Sequence, residues 1–310
     1  MTNRLGFSSV TKVTRFLQHT ARVGVLMLLA LPVLGAPLPL GKNQVTLDID
    51  GEAIEVYTYK PERYARGAVL LTLHGVGRNA TGYRDHAIPI ADRHGFLIVA
   101  PLFDRKRFPT WRYQHGGIAR PAAGDATLQV QAEERWMGRT FQKIVDAVRA
   151  LENAPGLPYH LLGHSGGGQS LSRVAGFMTT HAGRIVIANP GSYLWPTREV
   201  RFPDGYGALP GPWSGDEALR GYLAQPITLL LGTADVKQDA DLTLRETAAI
   251  QGANRYERGH NAYRAAQSLA QARGWAFNWK VIDVPGVGHS ARRMFGSAEA
   301  SAAFDPTTAQ

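Results

Sequence analysis

The stretch Tyr159-His160-Leu161-Leu162-Gly163-His164-Ser165-Gly166-Gly167 contains the pattern that decides the fold. Its first four residues form a mostly apolar run that predicts a buried strand, and the next five have the form G-x-S-x-G. A helical pattern follows. Glycines suit this position, because a tight strand-to-helix turn strains the backbone as it lifts the serine hydroxyl out of the sheet. Ser165 is therefore a candidate nucleophile, and an ordinary serine in a glycine-rich turn is the alternative.

Other short apolar runs precede and follow this strand. Helical patterns separate most of them, which is typical of a mostly parallel sheet whose strands are buried on both faces. Two alternating segments around Asp50-Gly51 predict a β-hairpin at the sheet edge. The predicted strands span residues 45–49, 53–59, 68–73, 96–101, 159–163, 184–188, 227–232 and 278–284, and the predicted helices span 81–94, 132–152, 167–180, 242–250 and 256–272. We therefore expect an α/β fold with a mostly parallel sheet of about eight strands and helices on both faces.

A catalytic serine needs a general base, and the base needs a carboxylate that orients it. Both are expected after later strands, because ligands meet an open α/β sheet at the carboxyl ends of its strands. His289 lies in the glycine-rich loop after the last predicted strand, and Asp235 follows the strand that ends at Gly232. We predict Ser165, His289 and Asp235 as a triad. Two other carboxylates stay open as the acid, and three other histidines have only a structural interpretation: Asp239 and Asp241, and His160, His181 and His260.

The segment His74-Gly75-Val76-Gly77 ends another predicted strand. Acyl transfer develops negative charge on a carbonyl oxygen, which preorganised backbone N–H groups can stabilise. We predict that the N–H groups of Val76 and Gly166 form this oxyanion hole. Gly77 is the alternative to Val76, and a simple turn with glycines at positive φ is the structural interpretation of the segment.

With these motifs in this order, residues 45 to 295 resemble the α/β-hydrolase superfamily. Within it, Leu73-His74-Gly75 with Asn79, the run 95–101 and Gly163-His164-Ser165-Gly166-Gly167-Gly168 look like the polyhydroxybutyrate-depolymerase and feruloyl-esterase-like group. The resemblance implies a serine hydrolase that cleaves carboxylic esters through an acyl-enzyme intermediate, without a cofactor. Extracellular depolymerases of this group usually carry cysteines and a polymer-binding domain. Because this chain has no cysteine and neither a linker nor such a domain is recognised in it, we expect a small-molecule or oligomeric ester substrate.

Long aromatic-rich loops are candidates for the substrate pocket. We predict a lid-like insertion at about residues 189–215, where this superfamily commonly carries lids, within a single domain that spans 36–310. Trp111, Tyr193 and Trp195 are the candidate substrate-binding residues. Packing of these aromatic side chains against the core is the alternative. No metal-ligand spacing such as H-E-x-x-H occurs, so no metal is expected.

Two other functions remain open. A peptidase or amidase would use the same triad, because the chemistry of acyl transfer is shared. A binding protein that has lost activity on a hydrolase scaffold is a different class, since a fold does not fix a function. The presence of all three triad residue types favours an enzyme.

The first 35 residues have the layout of a signal peptide. Four basic residues, Arg4, Lys12, Arg15 and Arg22, lead into the apolar run from Val23 to Leu34, and no carboxylate occurs before Asp48. This run is shorter than the roughly 20 residues that cross a bilayer, which disfavours the alternative of a membrane anchor. We therefore expect export to the periplasm or the medium, cleavage near Ala36, and no stable membrane span after processing.

Composition excludes several classes of protein. The chain has 44% hydrophobic and 19% charged residues, as an ordinary globular enzyme does, and no cysteine that could form a disulfide. Its formal net charge is +9, but its basic residues are scattered and the longest uninterrupted basic run is Arg105-Lys106-Arg107. Nucleic-acid binding is therefore not expected. The oligomeric state is not encoded in any pattern that we recognise.

Overall fold

The computed structural model describes residues 36–122 and 127–306. The predicted signal peptide, residues 1–35, lies outside the described residues. The strands are β1 Gly41–Ile49, β2 Glu52–Lys60, β3 Ala68–Leu73, β4 Phe96–Pro101, β5 Ala119–Pro121, β6 Leu128–Val130, β7 Tyr159–His164, β8 Ile185–Ala188, β9 Ile227–Gly232 and β10 Lys280–Val284. The α-helices are α1 Ala80–His86, α2 Ile88–His94, α3 Thr110–Tyr113, α4 Met137–Leu151, α5 Gly166–Phe177, α6 Gly211–Ser214, α7 Asp216–Leu223, α8 Glu246–Ala249, α9 Arg255–Arg273, α10 Ala291–Phe295 and α11 Ala298–Ala302.

Eight of the strands form one sheet in the order β1-β2-β4-β3-β7-β8-β9-β10. The pairs β1/β2 and β2/β4 are antiparallel, and every pair from β4 to β10 is parallel. The strands β5 and β6 form a separate antiparallel pair. The expected α/β class and mostly parallel sheet are confirmed. The carboxyl ends of β3, β7, β9 and β10 carry the residues that the sequence singled out.

Helices cover both faces of this sheet. On the central strand β3, Val69 and Leu71 belong to one hydrophobic cluster, whereas Ala68 and Leu70 belong to a second. This alternation follows from the two-residue period of a strand, which directs successive side chains to opposite faces. The first cluster includes residues of α4, α5 and α9, and the second includes residues of α1, α2, α10 and α11.

Several helices differ from the sequence prediction. The single helix predicted over 81–94 is two helices that meet at Ala87, and Pro89 fits there because the first turn of a helix leaves its N–H groups unpaired. The predicted helix over 242–250 is helical only over Glu246–Ala249, and the side chains of Thr243 and Arg245 before it bond to Gln169 and Asp204. The sequence did not predict the short strands β5 and β6 or the helices α3, α6, α7, α10 and α11. Within the described ranges, no helix is long and apolar enough to cross a bilayer.

The segment between β8 and α7 packs on helix α5. Asp204 accepts a hydrogen bond from the Arg173 guanidinium at 2.8 Å, and neither side chain is exposed to solvent. The hydroxyl of Tyr206 donates to the carbonyl of Gly176 at 2.9 Å. These contacts hold the predicted lid-like segment, residues 189–215, firmly against the core along α5.

Candidate active site

Ser165 lies in a strained turn between β7 and α5. Its φ and ψ are 55° and −117°, a conformation that residues other than glycine rarely adopt. A Cβ atom at Gly163 would lie 2.6 Å from the Gly167 backbone, and one at Gly167 would lie 2.4 Å from the carbonyl oxygen of Leu73. The flanking glycines are therefore required by close backbone approach, and this explains the G-x-S-x-G pattern.

The structure brings Ser165, His289 and Asp235 into one hydrogen-bonded chain. The Oγ of Ser165 lies 3.0 Å from Nε2 of His289, and Nδ1 of His289 lies 2.8 Å from Oδ2 of Asp235. The side chain of Asp235 is 1% exposed and that of His289 is 18% exposed. With Nδ1 protonated and donating to the carboxylate, Nε2 is free to accept the serine proton.

The loops that carry His289 and Asp235 are bonded to each other. The N–H of Gly286 donates to Oγ1 of Thr233 at 2.9 Å, and the N–H of Ala234 donates to the carbonyl of Val287 at 3.0 Å. Each loop follows one of two adjacent parallel strands, β9 and β10. The sheet register therefore sets the distance between the carboxylate and the imidazole.

The predicted oxyanion residues also lie together. The N–H of Arg78 donates to the carbonyl of Gly75 at 3.1 Å, so Val76 occupies the corner of a tight turn. A Cβ built on Gly166 would lie 3.2 Å from the Val76 nitrogen, whereas nothing lies within 4 Å of one built on Gly77. Gly166 is the first residue of α5, where an N–H has no acceptor within the helix. The Val76 nitrogen therefore lies beside Gly166, and the choice of Val76 over Gly77 as the second donor stays a prediction.

A buried histidine, His74, forms a hydrogen bond to this turn. His74 is fully buried; its Nε2 accepts the N–H of Phe103 at 3.1 Å, which leaves Nδ1–H to donate to the Gly75 carbonyl at 3.0 Å. Burial lowers the pKa of His74 to about 4, so the ring stays neutral in this tautomer. The turn is held from outside by Arg105, whose guanidinium donates to the Val76 carbonyl at 3.0 Å. His74 thus orients the turn, and both of its ring nitrogens are engaged in doing so.

A second buried histidine packs against the candidate base. The ring centroid of His164 lies 4.7 Å from that of His289, and the hydroxyl of Tyr83 lies 3.0 Å from Nδ1 of His164. Burial holds the pKa of His164 well below its usual range, so the ring is neutral. The same Tyr83 oxygen would lie 2.7 Å from a Cβ at Gly75, and it therefore links the serine turn to the oxyanion turn.

A cavity of about 440 Å³ opens beside the oxyanion turn. Most of its lining residues are polar, which the sequence did not predict. One of them, Gln114, donates a hydrogen bond to Oε1 of Gln169 at 2.7 Å. Gln169 in turn donates to Oγ1 of Thr243 at 2.9 Å, which ties α5 to two surrounding loops. The cavity is lined by Val76, Arg78, Arg105, Pro109, Thr110, Gln114, Ala240 and Asp241.

The three aromatic residues proposed as substrate contacts do not line this cavity. Tyr193 is fully buried in the hydrophobic core, so its assignment to the pocket wall is corrected to a packing role. Trp195 is half-buried, and its backbone N–H donates to the backbone carbonyl of Asp204 at 2.8 Å. Trp111 lines a different cavity, of about 560 Å³, next to the β1–β2 hairpin. Aromatic content alone did not separate pocket walls from loops that pack on the core.

The alternative acids have other positions. Asp239 forms two hydrogen bonds with Arg255, and Asp241 lies on the rim of the cavity. Arg255 had no signal in the sequence, because only the tertiary structure brings α9 to the loop after β9. Gln169 did carry a readable signal, since it lies one helical turn after Ser165.

Among the solved structures that match this chain, two resemble it in both sequence and fold. The chain is 33% identical to LpqC, a poly(3-hydroxybutyrate) depolymerase from Bordetella parapertussis, over 83% of this chain and 88% of that one, with a TM-score of 0.74. It is 29% identical to poly(aspartic acid) hydrolase-1 from Sphingomonas sp. KT-1, over 83% of this chain and 96% of that one, with a TM-score of 0.75. No protein-family model and no curated protein matches the sequence.

Proposed function

Because the chain belongs to the α/β-hydrolase superfamily of serine esterase-like hydrolases, we propose that Ser165, His289 and Asp235 are its catalytic triad and that it hydrolyses carboxylic esters. The observation that carries this proposal is the hydrogen-bonded chain from Ser165 through His289 to Asp235. Such a chain is the arrangement that activates a serine hydroxyl in acyl transfer.

The reaction takes place in two steps. His289 removes the proton of Ser165 as Oγ attacks the ester carbonyl, and the resulting imidazolium then donates that proton to the departing alcohol. Water, activated by the same imidazole, hydrolyses the acyl-enzyme and releases the acid. The N–H groups of Val76 and Gly166 stabilise the negative oxygen in both steps, a contribution of about 3 to 4 kcal/mol per donor. Asp235 holds the tautomer and stabilises the imidazolium.

The substrate that we propose is a small-molecule or oligomeric ester. LpqC is named for a polyester, and the cavity beside Val76 is walled by polar groups of Arg105, Thr110 and Gln114 that could bond to ester oxygens. Amide hydrolysis is the second candidate, because poly(aspartic acid), for which the other similar enzyme is named, is joined by amide bonds.

Two assays test this function. A fluorophosphonate probe should label the purified protein at Ser165, and labelling should be lost in Ser165→Ala. A panel of p-nitrophenyl esters of increasing acyl length, 3-hydroxybutyrate oligomers and poly(aspartic acid) then separates ester from amide hydrolysis. Absence of labelling with correct folding would contradict a catalytic serine and favour an inactive binding protein.

We also propose that residues 1–35 are a signal peptide and that the enzyme acts in the periplasm or the medium. The support is the basic segment and the apolar run that precede Ala36. An exported hydrolase would meet ester oligomers outside the cytoplasm, which agrees with the proposed substrate class.

A further inference from the structure

The carboxylate of Asp235 has a second charged partner besides the imidazole. Its Oδ2 lies 2.8 Å from Nδ1 of His289, and its Oδ1 lies 3.5 Å from Nη1 of Arg255. The Arg255 side chain is fully buried, and that of Asp235 is 1% exposed. Water screens a buried pair poorly, so the charge of this arginine acts strongly on the carboxylate and on the imidazole beyond it.

Arg255 is itself held in place by Asp239. Nη1 donates to Oδ2 of Asp239 at 2.9 Å and Nη2 donates to Oδ1 at 2.6 Å, a two-pronged contact that fixes the plane of the guanidinium. The hydrogen bond from Arg255 lowers the pKa of Asp239, whose side chain is 41% exposed. Arg255 is also the first residue of α9, which Asn254 caps by accepting the N–H of Glu257 at 2.9 Å.

We propose that Arg255 is a positioning residue for the triad, which orients Asp235 toward His289 and, balanced by Asp239, sets the pH at which His289 loses its proton. The inference rests on the proposed triad. An anionic Asp235 favours the imidazolium, and the cationic Arg255 opposes it. Asp239 offsets part of the arginine charge.

Among the described residues, four groups from different elements surround the Asp235–His289 pair. Arg255 approaches from α9, Asp239 from the loop after β9, His164 from β7 and Tyr193 from the 189–215 segment. Burial lowers the pKa of His164 and raises that of Tyr193, so both stay neutral near pH 7. Of these groups and the pair itself, Asp235, Arg255 and Asp239 therefore carry the charges.

The test is the pH dependence of kcat/KM for a p-nitrophenyl ester, measured with the purified enzyme and three variants. Arg255→Met removes the opposing cation, so the acid limb of the profile should move to higher pH by about one unit, and kcat should fall more than KM rises. Asp239→Asn leaves the arginine charge unbalanced, so the limb should move to lower pH. Arg255→Lys keeps the charge and should restore most of the wild-type profile.

A matched control lies on the same helix. Arg258 is 2% exposed and donates to the carbonyls of Gly252, Gly191 and Thr243, so Arg258→Met also deletes a buried arginine. It should reduce stability and leave the acid limb in place. A uniform loss of activity in Arg255→Met with no shift of the limb would overturn the proposal, as would shifts in the same direction for Arg255→Met and Asp239→Asn.

Two further measurements cover the cases in which Arg255→Met does not fold or the triad itself is wrong. If Arg255→Met fails to fold, the direction of the Asp239→Asn shift decides alone: a shift to lower pH supports the proposal, and none or the reverse overturns it. Fluorophosphonate labelling of the wild-type enzyme separates this test from that of the triad. If the enzyme is labelled and active but neither Arg255→Met nor Asp239→Asn moves the acid limb of its kcat/KM profile, only the role of Arg255 is refuted.

Discussion

The Oγ of Ser165 lies 3.0 Å from Nε2 of His289, although 124 residues separate them in the chain. The serine stands at the end of β7 and the histidine follows β10, at the same edge of the sheet.

Replacing the serine should remove the nucleophile and leave the fold unchanged. We expect Ser165→Ala to lower ester turnover by about 10⁶, to near background. Kinetics and a thermal melt check this, and more than a few per cent of residual activity in a pure preparation would refute the assignment.

Asp235→Asn should keep the shape of the site and lose its chemistry. The amide cannot stabilise the imidazolium and favours the wrong tautomer, so kcat should fall by roughly 10³ to 10⁴ with little change in melting temperature. Asp283→Asn is a matched control, because Asp283 lies 2.9 Å from His260 in a second, surface Asp–His pair. That variant should keep wild-type activity. A large loss confined to Asp241→Asn would mean that the acid has been misplaced.

Gly75→Ala should disturb the oxyanion turn. The new Cβ would lie 2.7 Å from the Tyr83 hydroxyl oxygen and 3.4 Å from Cβ of Ser165, so either the turn or the buried Tyr83 ring must shift, and we expect kcat to fall by about 10². Tyr83→Phe removes the clashing oxygen. The double variant should therefore lose less activity than the product of the two single losses, as a double-mutant cycle would measure. Simple additivity of the two effects would show that the contact does not transmit the strain.

Asp204→Asn should destabilise the protein and leave the geometry of the triad unchanged. Burial by itself raises the pKa of Asp204, but Arg173, Arg245 and Thr247 lower it to about 2. The ionised carboxylate therefore contributes stability above the unfolded pKa of about 3.9, and the contribution is lost as the pH falls toward 2. Urea unfolding at pH 7 should show that Asp204→Asn lowers the free energy of unfolding by about 3 kcal/mol. The difference between the variant and the wild type should become smaller between pH 4 and pH 2.

The exposed pair of Asp216 with Arg273 supplies the control for that experiment. Arg273 lies 3.3 Å from Asp216, and both side chains are about half exposed, so solvent screens the interaction. Asp216→Asn should leave the unfolding midpoint within error of the wild type at pH 7. Equal losses in the two variants would contradict the importance of burial for the Asp204 cluster.

Processing at the N-terminus can be measured directly. If residues 1–35 are a signal peptide, protein recovered from outside the cytoplasm should begin near Ala36, because the small residues Gly35 and Ala36 follow the apolar run. Intact mass and N-terminal sequencing distinguish this outcome from a membrane-bound protein that retains Met1.

The sequence by itself determined the main sheet and the order of the candidate catalytic residues along it. Strands such as Ala68–Leu73 and Ile227–Gly232 are buried on both faces, so they appear as continuous apolar runs that are hard to mistake. The turn at Ser165 requires glycines through local backbone geometry, which is why five consecutive letters identify it. Parallel strands place their carboxyl ends at one edge of the sheet, and this rule alone predicts that Asp235 and His289 lie near Ser165.

Only the tertiary structure decided which polar and aromatic side chains surround that site. Arg255 meets Asp235 because α9 packs beside the loop after β9, and no spacing along the chain encodes a contact between those two segments. Tyr193 and Trp111 have the same aromatic character in the sequence, yet the first is in the core and the second borders a separate cavity. Burial depends on what a loop packs against, and this is a property of the assembled fold, whereas strand patterns and tight turns are properties of the local chain.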